Sequence, residues 1–381
     1  PRPRAPRSAH PRAGELRLTS SPVPPRLLLP VLTAALLTAC VTTGPRSLRS
    51  GRGSYNAAIQ RTNSEQLLLN LVRLRYRDAP LFLEITSISS SLSVEVGASL
   101  GGAISPGQGG SVAPGGAVSY IERPTITYAP LQGTRFGTQF LTPVELSDIL
   151  LLYYSGWAID RIFKVFVQRL GPLPNAPRAS GPTPDVAPLF EDFFAATDVL
   201  RSLWNDGLLD LRQTQAAFGG ALVLKIEDSP ATAARLERLC KLLGMPATRA
   251  TLVLTDAPGS PESGVIQLVP RSLLAGMYYV SQGVEVPADD YAAGRVPTTR
   301  DPSGATFDWK RLTGALMRIH HSAREPAAAY ASVFYRDRWF YIDDTDLDSK
   351  STFSFLSQVL EMQSGEIKNT GPILTLPIAS D

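Results

Sequence analysis

Cysteine and histidine are almost absent from this chain: two cysteines, Cys40 and Cys240, and three histidines stand among 381 residues. So thin a supply assembles no disulfide framework and no metal or cofactor constellation. No serine sits in a Gly-x-Ser-x-Gly elbow. The glycines between 101 and 116 come without the Lys-Ser/Thr signature of a phosphate loop. No apolar run is long and uncharged enough to cross a bilayer permanently. No internal repeat is evident.

What the N-terminus does contain is the run Leu27 to Leu37 (LLLPVLTAALL), which has the length of the apolar core of a secretory signal and follows Arg26 and five earlier arginines. It ends in Leu37-Thr38-Ala39-Cys40, which resembles the lipobox of bacterial lipoproteins: a branched apolar residue, two small ones, then the cysteine that is diacylated and becomes the new N-terminus. The resemblance implies lipid attachment at Cys40 and a membrane met through N-terminal acyl chains. Val41 stands where Asp would resemble the inner-membrane retention signal of enteric bacteria. The expected address is therefore the inner leaflet of the outer membrane, facing the periplasm.

Removing residues 1–39 changes the charge argument. They carry six arginines against Glu15, so the formal charge falls from +3 to about −2 for the mature chain. The basic balance belongs to the leader, and a nucleic-acid partner loses its main support. Cys240 lies in ARLERLCKLLG on a helical stripe with Leu236, Leu239 and Leu243, where a buried, inert thiol is expected. With Cys40 acylated, it has no partner for an internal disulfide.

The expected organisation is a tether over 40–53, a helix/hairpin/helix-pair domain over 54–171, a Pro-rich linker over 172–188, and a second domain over 189–381. The tether (VTTGPRSLRSGRG) is small, polar and Gly/Arg-containing. Tyr55 to Arg77 shows a helical period closed by Ala79-Pro80. From Ile88 the pattern alternates strictly, with Ile88, Leu92, Val94, Val96, Ala98 and Leu100 set against a serine-rich face. A return run over Ala117–Tyr128 completes an extended hairpin, with the Gly-rich stretch as its loop. Thr142-Pro143-Val144-Glu145 reads as a capping box opening a helix to about Tyr154, and Trp157–Leu170 as a second helix. Asp148, Asp160, Arg161, Lys164 and Arg169 exclude this pair from a membrane span.

The linker holds six prolines between 172 and 188 and no apolar period. Beyond it helices are expected over Leu189–Asn205, Pro230–Leu243 (capped by Ser229), Ser272–Ser281 and Ser349–Gln363. Strands are expected over Ala221–Glu227, Thr251–Thr255, Val265–Val269, 314–320, 329–335, 338–342 and Ile373–Ile378. This mixed order predicts an α+β fold: an N-terminal helical part with an extended β-hairpin, then an α+β domain with a mostly antiparallel sheet.

Three places carry candidate chemistry. Asp344, Asp346 and Asp348 have the alternate spacing that begins a calcium loop, but Ser349 replaces its glycine and Phe355 its bidentate glutamate. The simpler expectation is that the acids over 343–348 end a strand and cap the following helix. His320 and His321, adjacent on a predicted strand, point to opposite faces and cannot easily share a metal. A periplasmic hydrolase would pair one of them with an aspartate from 343–348. Arg336-Asp337-Arg338 falls at a tight turn between aromatic strands, where cross-strand packing accounts for it as well as ligand binding does.

The segments YNAAIQRTNSEQLLLNLVRLRYRDAPLFLEI (Tyr55–Ile85), PTITYAPLQG (Pro124–Gly133) and RDRWFYIDDTDLDSKSTF (Arg336–Phe353) resemble uncharacterised envelope lipoproteins of Gram-negative bacteria. The resemblance implies a compartment and brings no activity, cofactor or site residue. The leading expectation is a non-enzymatic, lipid-anchored periplasmic protein that docks onto or scaffolds an envelope assembly, through a protein partner or a homo-oligomer. The alternative is an oligomeric pore with one hairpin (88–128) per subunit, since about thirteen alternating residues exceed the roughly 9–11 that a transmembrane β-strand needs. Against it, Glu122 and Pro124 interrupt the face bearing Val118, Tyr120, Ile126 and Tyr128.

Overall fold

Apolar residues recur three and four apart at Leu67, Leu68, Leu71, Val72 and Leu74, and all five are buried on one stripe of helix α1 (53–75). The structure, a computed structural model, describes residues 53–364 except 106–107, 183, 217–218 and 259–262. The leader, Cys40, most of the tether and the strand expected at Ile373–Ile378 lie outside the described residues. Contacts divide the chain at Arg61; the described residues from Thr62 onward form one compact unit.

After α1 the chain enters a hairpin of two 23-residue strands, β1 (Leu83–Ser105) and β2 (Gln108–Pro130). They pair with each other and join neither of the other sheets. The expected loop over 101–116 is mostly strand, because glycine is tolerated in extended backbone at a cost in entropy and the ladder continues through Gly101↔Ala113 and Gly102↔Val112. The register pairs Leu92 with Glu122, Val94 with Tyr120 and Val96 with Val118. The intervening positions pair Ser91 with Arg123, Ser93 with Ile121 and Glu95 with Ser119. The expected alternation therefore holds across both strands, and Glu122 shares the apolar set.

The body is α+β. Its six-stranded sheet runs β4 (Leu173–Pro174), β3 (Val167–Leu170), β8 (Val265–Pro270), β7 (Thr251–Thr255), β6 (Gly219–Ile226), β5 (Leu209–Ala216), and only β7 and β8 pair in parallel. A three-stranded antiparallel sheet runs β10 (Ala329–Tyr335), β11 (Arg338–Asp343), β9 (His320–Ser322). The helices are α2 (Gly133–Phe136), which runs into a π-turn over Gly137–Leu141, α3 (Leu146–Tyr154), α4 (Ile159–Phe166), α5 (Glu191–Asn205), α6 (Ala233–Leu242), α7 (Leu273–Ser281), α8 (Ala288–Ala292), α9 (Lys310–Thr313) and α10 (Leu347–Gln363). Aromatic packing of Phe355 on Phe166 and Trp157, at 5.3 and 4.9 Å between rings, ties α10 to α4 and the turn before it.

Several expectations change here. The stretch 172–188 is not a linker between domains. It supplies β4 and a 3₁₀ turn (Pro177–Ser180), and Asn175, Ala176 and Ala179 are buried. The reason is Arg271, a fully buried guanidinium that donates to the carbonyls of Lys164, Val165, Val167 and Asn175 and to Ser180 Oγ, while stacking 4.2 Å from the Tyr279 ring. Burial lowers its pKa to about 10, opposed by Tyr279. The same bonds end α4 at Phe166, four residues before the expected stop, by holding the next residues extended.

The capping box at Thr142–Glu145 does not form. Pro143 bridges Ser272 and the Val144 N–H donates to the Arg271 carbonyl, so α3 begins at Leu146. Ser229 does not cap α6 either: it joins Thr232 in a turn, and the helix starts at Ala233. Residues 314–319 form a turn and an isolated bridge in place of a strand. Among the described residues no helix is long and apolar enough to cross a membrane. The charges of α4 are buried and paired: Asp160 with Arg201 at 3.0 Å, Lys164 with Asp198 at 2.9 Å, and Arg161 with Asp348 at 3.0 Å.

Candidate functional site

The hairpin root is held by side chains of α1. Gln66 and Asn70 are one helical turn apart on α1, and each side-chain amide pairs with the main chain of an extended residue as a neighbouring strand would. Asn70 accepts from the Leu81 N–H at 2.9 Å and donates to the Leu81 carbonyl at 2.8 Å. Gln66 does the same to Leu83, at 2.8 and 3.2 Å. Between them the Phe82 ring is buried 4.3 Å from Phe140. Arg135 and Glu84 close the root with an ion pair at 2.5 Å. Leu81, Leu83 and Tyr128 are exposed around it. Sequence reading missed Gln66 and Asn70, although two amides spaced i, i+4 on an apolar stripe were a signal that this stripe meets main chain as well as core.

A second polar knot locks the end of α1 to the C-terminal sheet. The Tyr76 hydroxyl donates to Asp290 at 2.6 Å, and Arg295 pairs with the same carboxylate at 2.7 Å. Burial raises the Asp290 pKa, but these two donors and the charges of Arg295 and Arg338 outweigh it and hold the carboxyl below its ordinary value. The turn between β10 and β11 places Arg336 and Asp337 at φ 48° and 62°, the left-handed geometry of a two-residue hairpin. Arg336 lies 5.1 Å over the Tyr76 ring and pairs with Asp78 at 2.9 Å, while Arg338 pairs with Asp289 at 3.2 Å. Arg336 and Arg338 are thus engaged within the fold.

The histidines do not meet the acids of 343–348 by hydrogen bond. His320 Nδ1 lies 3.0 Å from Glu285, a residue not anticipated from sequence, and Lys310 stands 3.4 Å from the same carboxylate. Burial would raise the Glu285 pKa, but His320 and Lys310 lower it on balance. His321 Nδ1 is buried without a hydrogen-bond partner, its ring 6.4 Å from Phe340. The acids have other work. Asp343 accepts from the Thr345 N–H and hydroxyl, Asp344 pairs with Lys350, Asp346 caps α10 through the Ser349 N–H and pairs with Arg318, and Asp348 pairs with Arg161. Among the described residues no group of three His, Cys, Asp or Glu is placed to hold a metal ion. Cys240 is buried, with Sγ 3.4 Å from the Arg249 N–H. Two surface clefts of about 420 and 450 Å³ are lined by neither histidine and by no acid of that run.

The lowered carboxyls set the acid limit of the fold. Asp290, Asp346 and Glu285 all have folded pKa values below their ordinary 3.8 or 4.5, so each contributes stability that is present above those values and lost as pH falls through the folded ones. Thermal midpoints should stay level above about pH 5 and drop steeply below about pH 4, with Asp346→Asn flattening part of the drop. A midpoint that is level down to pH 2.5 would contradict these assignments.

Comparison with protein-family models, with curated proteins and with solved structures finds no match. Function is therefore read from the chain's own residues.

Proposed function

We propose that this chain is a non-enzymatic, lipid-anchored envelope protein, held at Cys40 in the inner leaflet of the outer membrane and facing the periplasm, whose hairpin docks it into an envelope assembly. The observation that carries the reading is the hairpin: two 23-residue strands, joined to no other sheet among the described residues and rooted on α1 by Gln66 and Asn70. A two-stranded ribbon standing alone has two unpaired edges and is marginal in water, so its natural state includes a partner along an edge. The leader ending in the lipobox-like Leu37–Cys40 supplies the address. The histidines and the acids of 343–348 are engaged in hydrogen bonds, ion pairs and packing, which favours a structural role over the hydrolase alternative.

Cys40→Ala tests the anchor. The variant should lose palmitate labelling and move from the membrane to the soluble periplasmic fraction, while the wild type carries label. Membrane fractionation of the wild type without any label would sink the anchor.

A further inference from the structure

We propose that the hairpin's partner is the hairpin of further copies of this chain: β1 of one subunit pairs with β2 of the next, closing a membrane-spanning β-barrel that contributes two strands per subunit. This rests on the envelope role above and deepens it by naming the occupant of the free edges.

The register carries the argument. One of the two alternating sets of positions, from the Val94–Tyr120 pair to the Gly102–Val112 pair, holds no charged residue. That stretch is nine residues long in each strand. At about 3.3 Å per residue it extends about 30 Å, the length at which a tilted barrel strand spans hydrocarbon. The other set is rich in serine and glycine, the composition of a wetted lumen. At the end nearer the body the band stops at a defined level: Tyr120 occupies its last rung, Glu122 opposite Leu92 the next of that set, and Arg123 opposite Ser91 the row beside it. An aromatic position followed by charges is what a membrane–water boundary selects. Glu122, which interrupts the apolar set, then lies outside the band.

Closure follows from the edges. Within hydrocarbon an unpaired backbone N–H or C=O has no water to turn to, so a spanning ribbon must have both edges paired. The two edges of this ribbon differ, one belonging to β1 and the other to β2. Identical copies therefore join head to tail, antiparallel at each seam, and the ring closes on itself. Pro114, which has no N–H, removes one rung and leaves the others.

The test uses the full-length acylated protein purified from membranes, reconstituted in liposomes and in planar bilayers. The expected result is one closed oligomer by native mass spectrometry, with ion conductance. Single cysteines are then compared with a membrane-impermeant maleimide, Cys240 being buried. Ser99→Cys should react at least about tenfold faster than Val96→Cys, because the two positions fall in different sets. Val96→Arg should reduce conducting material by roughly tenfold or more, whereas Ser99→Arg should still conduct and shift selectivity toward anions. Monomers without conductance, or equal labelling at 96 and 99, overturn the barrel. If such monomers remain acylated at Cys40, only the barrel has failed; if they carry no acyl chain, the envelope reading has failed with it.

Discussion

Arg271→Met is expected to destabilise the folded chain by about 3–5 kcal/mol, the size of effect seen when one side of a buried charged network is removed. Methionine fills similar space, so the loss isolates the polar network. Arg271 is 1 % exposed and faces main-chain carbonyls rather than a carboxylate. Substitution cannot remove those acceptors along with the donor, which distinguishes this site from ion pairs that exchange neutrally for apolar residues. Four carbonyls at the end of α4, in β3 and at Asn175 would lose the Arg271 guanidinium, those of Lys164 and Val167 keeping only Asn175 Nδ2. The segment 172–188 would be left with the short β3–β4 pairing and Asn175 as its ties to the sheet. The shift should appear in the urea midpoint followed by circular dichroism, accompanied by new proteolytic cleavage within 172–188. A midpoint within about 0.5 kcal/mol of wild type, the usual range for neutral surface changes, would show that Arg271 does not hold this segment.

The second large effect is expected at Gly283. A Cβ there would lie 2.1 Å from the Met317 carbonyl oxygen, a distance no side-chain rotation can relieve. Gly283 opens the parallel bridge between Val284 and Ile319, where the Ile319 N–H donates to Gly283 and the Glu285 N–H to Ile319, at 3.0 and 2.8 Å. That bridge sets Glu285 beside His320. Gly283→Ala should therefore cost about 3 kcal/mol through backbone displacement and speed hydrogen exchange at the Ile319 and Glu285 amides. Unchanged exchange at both would mean that the bridge tolerates a methyl group.

Much of this architecture was legible where one period dominates a segment. The α1 stripe, the alternation from Ile88 and the cap of α10 by Asp346 follow from local spacing, and the structure has them. The misses share one physical cause, a long-range partner that outweighs local preference. Thr142–Glu145 has the letters of a capping box, but the Arg271 carbonyl takes the Val144 N–H from 127 residues away. Helix α4 stops early because Asn175 and Arg271 claim its last carbonyls. Strand β5 went unseen because only Leu209 and Leu211 alternate before the residues turn polar at a sheet edge, where Tyr153 and Tyr154 donate to their carbonyls. At the hairpin, alternation gave the ribbon but hid its length, since glycine weakens a strand signal without preventing a ladder. Nothing in the spacing of Gln66 and Asn70 names the residues they hold, because those residues meet the helix only after the chain has turned.

On the reading proposed above, the hairpin is the part through which an envelope-anchored body joins its assembly. Excising 88–126 and joining Ser87 to its ladder partner Thr127 with an Asn-Gly turn tests it most directly, because among the described residues the hairpin pairs only with itself and its root remains. Native gels of gently solubilised membranes should show the wild-type chain in a high-mass complex and the excised chain, still acylated and cooperatively folded, at the mass of its body alone. An excised chain that still migrates in the same high-mass complex would contradict the account.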